Sequence, residues 1–118
     1  MSLMDELIET ILKNKEKLTE IIKETSKQLT DFMDENNDSP QLVAEETEKA
    51  IYIIQEATKK FEKLTKECLK KIPEDEERRE IFLETTKQFL ETIWKHVDSA
   101  VEGFRIIADV LPEDDEGN

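Results

Sequence analysis

Asp34, Asn36, Asp38 and Glu45 stand at positions 1, 3, 5 and 12 of a twelve-residue span, the spacing at which a calcium loop places its oxygen ligands. Two residues within the span oppose that chemistry. The sixth position is Ser39, where the sharp bend of such a loop calls for Gly, and the eighth is Gln41, where an apolar residue is usual. Ser39-Pro40 instead reads as a helix start, a capping residue followed by Pro at the first helical position. The expectation is an acidic turn between two helices, with no metal assigned to it.

His96 and Cys68 are the only His and Cys in the chain. Nucleophilic catalysis needs a thiol or hydroxyl held beside a base. The helical register developed below puts Cys68 level with about residue 81, four turns from His96 and roughly 20 Å away at 1.5 Å per residue. Zinc requires at least three N/S ligands, and di-iron bundles require Glu-x-x-His pairs; the chain supplies neither. With two Gly in 118 residues there is no Gly-rich loop to cradle phosphate. No enzymatic activity and no cofactor are expected.

The elements that position these residues are legible in the hydrophobic spacing. Three stretches carry a 3-4-3-4 pattern: Met4 to Phe32, Val43 to Cys68 and Leu83 to Leu111. Of their 26 seam positions, 22 are apolar, three are Thr and only Lys15 is charged, in a chain that is 40% charged. A repeat of 3.5 residues marks helices packed side by side at a shallow angle. The fold class predicted is all-α, an antiparallel up-down-up three-helix bundle with a heptad-like core. It forms a single domain over residues 1–112, with helices over about 3–36, 40–72 and 73–111. Pro73 would open the third helix, with Glu74, Asp75, Glu76 and Glu77 in its first turn, where negative charge suits the helix dipole. The acidic tail 113–118 has nothing to pack and is expected to be disordered. With tight turns, Thr25, Ala50 and Ala100 fall in one small-residue layer near Thr47 and Gly103, which predicts a close helix approach there.

The net charge is -13, so phosphate backbones and anionic membrane surfaces repel the chain, and neither nucleic acid nor membrane is expected as a partner. No apolar run approaches a membrane span and no signal-peptide pattern opens the sequence. A soluble protein in a reducing, cytoplasmic setting is the corresponding expectation. The charge is uneven: residues 1–38 carry -5, residues 39–72 carry +1 and residues 73–118 carry -9. The row Lys59, Lys60, Lys63, Lys66 and Lys70 is read as a solvated face balancing the acidic helices.

Helix 3 carries apolar residues beyond its seam, with Phe82 and Phe89 on one flank and Trp94, Val101 and Ile106 toward the other. The latter three form the candidate partner-binding strip, where a helical protein partner or a second copy would pack.

Several resemblances follow from these features. The three long helices resemble interaction modules such as BAG co-chaperone domains and the N-terminal domains of syntaxin-type SNAREs, which implies a natural adaptor binding a partner helix along helix 3. An acidic bundle with one His on a helix face also resembles histidine-phosphotransfer domains. Those domains place a basic residue and then Gly after the His, where this chain has Ser99 and Ala100. Matched helix lengths, short loops, Pro-led starts and dense Glu/Lys surfaces look like a de novo designed helical bundle. The reading that results is a non-catalytic helical-bundle scaffold of designed type, with the adaptor as the alternative and phosphotransfer through His96 as a weaker one.

Overall fold

The computed structural model describes residues 2–110, without the side chains of Ile107, Ala108 and Val110. Three α-helices make up the fold: α1 (Leu3–Glu35), α2 (Pro40–Lys70) and α3 (Arg79–Val110). The expected all-α three-helix bundle is the observed architecture. The tail 113–118 and the seam residue Leu111 lie outside the described residues.

Each helix end has a local cause. Ser2 caps α1 by accepting from the Asp5 N–H at 3.1 Å, which satisfies one of the unpaired amides of a helix start. Asn36 closes α1 with its backbone N–H and its side-chain amide both donating to the Phe32 carbonyl, each at 2.9 Å. Pro40 opens α2, but the Ser39 side chain makes no capping bond, so Pro carries that boundary alone.

The third helix begins at Arg79, six residues later than expected, and α2 ends at Lys70 rather than at residue 72. Between them the backbone makes separate three-residue turns, with Glu76 N–H donating to the Pro73 carbonyl and Arg79 N–H to the Glu76 carbonyl. Four adjacent acids, Glu74 to Glu77, would repel one another around a single helical turn, and no helical carbonyl ladder is in place to hold them. Ile72, only 4% exposed, ties this linker to the core.

Packing is antiparallel throughout. Met4 and Leu7 from the start of α1 share a core with Cys68 and with Ile72 just past the end of α2, while Ile51 and Ile54 from early α2 meet Val97 and Val101 from late α3. Helix α2 is the middle element. Among the described residues, α1–α2 and α2–α3 approach closely through their backbones, whereas no Cα of α1 comes within 8 Å of one in α3. The outer helices meet through side chains. Lys15 shows how: its stem leaves the seam and its ammonium sits 4.9 Å from the centre of the Phe89 ring, an arrangement that keeps the cation exposed while its stem covers apolar surface. Phe89 in turn meets Phe61 edge-on, with centroids 6.0 Å apart and planes at 72°, a favoured aromatic arrangement.

As the middle helix, α2 buries more than its predicted seam. Ile51, Thr58, Thr65 and Ile72 form a second buried row at seven-residue spacing. Thr58 satisfies its hydroxyl by donating to the Ile54 carbonyl at 2.7 Å, and Thr47 does the same to Val43. The Thr65 hydroxyl is buried with no partner. Of the expected small-residue layer, Thr25 and Ala50 are buried and Ala100 is half-buried, and a Cβ placed on Gly103 meets nothing within 4 Å. Gly103 therefore marks no close helix approach, contrary to expectation; α3 has no third backbone near it there.

Candidate interaction surface

The twelve-residue acidic span does not fold as a loop. Asp34 is still inside α1, Asn36 is committed to closing that helix, and Glu45 lies in the second turn of α2. Among the described residues no three His, Cys, Asp or Glu side chains converge as a metal site. His96 is exposed on α3. Cys68 is buried on α2, and burial pushes its thiol pKa up, so it is held as the unreactive protonated form.

The candidate strip on α3 is divided among three environments. Val101 is 5% exposed and packs with Ile51, Ile54 and Val97; it belongs to the core between α2 and α3, because the middle helix lies farther round α3 than a symmetric bundle would put it. Trp94 is half-buried beside the same cluster, and its indole N–H donates to the Glu62 carboxylate of α2. Ile106 is 53% exposed. The structure thus joins Trp94 and Val101 to one interhelical contact and leaves Ile106 apart.

Glu62 is the polar centre of this contact. Its second oxygen accepts from Lys66 Nζ at 2.8 Å. The Lys66 hydrogen bond first, and the Trp94 indole second, hold the Glu62 carboxyl below its ordinary range against the opposing effect of burial. A groove of about 510 Å³ runs beside them, floored by Leu69 and Leu90 and edged by Lys87, Lys95 and Asp98. The basic row of α2 borders Trp94, with Glu62 and Glu67 interleaved among Lys59, Lys63, Lys66 and Lys70. The interleaving leaves little net positive charge to attract an anion.

A second groove of about 510 Å³ lies on the α1/α2 side. Leu18, Phe61 and Leu64 line its depth, and Ile21, Tyr52 and Ile53 stand around it at 39%, 65% and 47% exposure. Sequence periodicity did not single these three out, since Ile21 and Ile53 lie beside seam positions and Tyr52 lies between two of them; the signal available was an Ile-Tyr-Ile-Ile run on α2, longer than one seam uses. Large apolar side chains grouped on an open helix pair are the surface feature most often associated with association. Asn14, Lys17, Glu56 and Lys60 form the polar margin.

Together these features define an all-α three-helix bundle with apolar grooves between its helices. Among the described residues no helix is long and apolar enough to cross a membrane. Comparison with known protein families, with characterised proteins and with solved structures finds no match.

Proposed function

We propose that the chain is a non-catalytic helical scaffold whose work is to bind another helix in a groove between its own. The observation that carries this reading is the cluster of Ile21, Tyr52 and Ile53, exposed around the α1/α2 groove rather than buried. Two helices with an apolar furrow between them accept a further helix by the same side-chain interdigitation that joins them to each other. A bundle composed only to fold would carry charge at these positions; large apolar side chains there support a surface kept for binding.

The groove beside Trp94 supports the same class of occupant along α3, with Leu69 and Leu90 as its apolar floor. The buried, protonated Cys68 and its separation from His96 on another helix support the non-catalytic part of the reading.

The test is capture of partners on immobilised protein. Helical ligands retained by the wild type are expected to be lost from Tyr52→Glu and Ile53→Glu, both of which sit at exposed positions and leave the helical circular dichroism intact. An unchanged set of captured ligands overturns the reading.

A further inference from the structure

We infer that the α1/α2 groove is covered by a second copy of this chain, packed face to face and antiparallel about a two-fold axis at the level of Ile53. This rests on the reading that the groove receives a helix, and adds which one. The argument comes from charge order along the groove. The outward stripe of α2 runs Glu46, Lys49, Ile53, Glu56, Lys60, spaced three and four residues apart so that all lie on one helix face. Turning this stripe end over end about Ile53 brings Lys60 opposite the partner's Glu46, each seven residues, or about 10 Å, from the centre. The same turn sets Glu56, three residues from the centre, next to the partner's Lys49, four residues from it, and leaves Ile53 facing its own copy.

Helix α1 repeats the pattern. Lys17 and Glu24 are seven residues apart on the stripe that contains Ile21, and the same axis pairs each with the other's copy. Ile21 and Ile53 line one groove, and the short turn between Glu35 and Pro40 sets them within one residue of the same height on the antiparallel helices, so a single axis serves both helices. An isologous contact requires this self-complementarity. The parallel arrangement lays α1 of one copy over α2 of the other and sets Lys60 level with the partner's Asn14 and Glu46 level with its Gln28, so it forgoes the Lys60–Glu46 pairing. Exposed apolar residues then occupy the centre of the contact and opposite charges its margin, the division expected of a binding surface.

The bonds that must be exchanged are weak ones. Glu46–Lys49 at 3.7 Å and Glu56–Lys59 at 3.3 Å are exposed pairs within α2, and such pairs contribute little in water. Overall repulsion is also least on this side, because residues 1–72, which hold α1 and α2, carry -4 while residues 39–118, which hold α2 and α3, carry -8.

Sedimentation equilibrium of the purified chain tests the inference. The mass is expected to rise with concentration from 13.8 kDa toward twice that value. Ile53→Glu is expected to hold the protein at the lower mass with its helical spectrum unchanged. Lys60→Glu is expected to weaken association roughly tenfold, about 1.4 kcal/mol, and the double exchange Glu46→Lys with Lys60→Glu to restore it. A single mass of 13.8 kDa at every concentration, or a dimer indifferent to Ile53→Glu and to the charge exchange, overturns the inference. A monomer whose captured helical ligands still disappear on Ile53→Glu removes the second copy and leaves the helix-binding reading in place. Loss of neither on Ile53→Glu removes both.

Discussion

Glu62 on α2 accepts a hydrogen bond from the indole of Trp94 on α3, thirty-two residues along the chain. Bonds of this kind fix how far one helix has slid along its neighbour, which apolar packing alone leaves loosely specified. The carboxylate is kept charged by Lys66, whose ammonium lies 2.8 Å from its other oxygen.

That arrangement makes one part of the stability pH-dependent. The Glu62 carboxyl titrates below its ordinary value of 4.5, chiefly through Lys66 and then through Trp94. A depressed folded-state pKa gives stability that is complete above the unfolded value and fades as pH falls through the folded one. Glu62→Ala is expected to cost about 1–2 kcal/mol at pH 7. Urea unfolding repeated below pH 4.5 should show the gap between wild type and variant closing, and a constant gap down to acid denaturation would contradict the assignment.

Thr65 predicts a gain. Its hydroxyl is buried without a partner, and an unpaired polar group away from water is costly. Thr65→Val keeps the branched shape and removes the hydroxyl, so unfolding free energy is expected to rise by about 1 kcal/mol. Thr58→Val at the neighbouring turn is the control. That hydroxyl is already bonded to Ile54 at 2.7 Å, and its loss should leave stability nearly unchanged or slightly lower.

Gly103 predicts a second gain, by a different route. It sits inside α3 with open space where a Cβ would go. Gly103→Ala restricts the unfolded chain without meeting anything in the folded one, and is expected to add about 0.5–1 kcal/mol. A thermal melt that moves downward would mean the position is more crowded than described.

Burial sorts the remaining apolar residues. Ile54, at 1% exposure, lies where all three helices contribute to the core, and Ile54→Ala is expected to cost about 2–5 kcal/mol. Ile106, more than half exposed, should change stability by less than about 0.5 kcal/mol when replaced by Ala. Equal effects in denaturant titrations would place Ile106 in the core after all.

Much of the fold is legible from spacing, and the parts that are not share a cause. The seams locate Ile54 and Val97, which are among the most deeply buried residues, because a 3.5-residue period depends only on local helical geometry. Spacing treats the three helices as equals, however, and α2 is not the equal of the others. Its second buried row of Ile51, Thr58 and Thr65, the inward position of Val101, and the exposure of Tyr52 and Ile53 all depend on which helix lies in the middle. The indole–carboxylate bond joins residues on different helices and has no local pattern at all. Pro73 was legible as a boundary, but the run Glu74 to Glu77 delays the helix it would otherwise begin.

The separation of α1 from α3 has a kinetic consequence. Among the described residues, every backbone approach between helices joins a helix to the one before or after it in the chain, so folding requires two hairpin closures over short connections. Such low contact order places folding in the microsecond-to-millisecond range. It also lets the terminal helix come away by breaking one backbone seam and the side-chain contacts to α1 such as Lys15 on Phe89, so that loss of α3 would strip Trp94 from Glu62 while the first hairpin, with its outward-facing Tyr52, stayed closed.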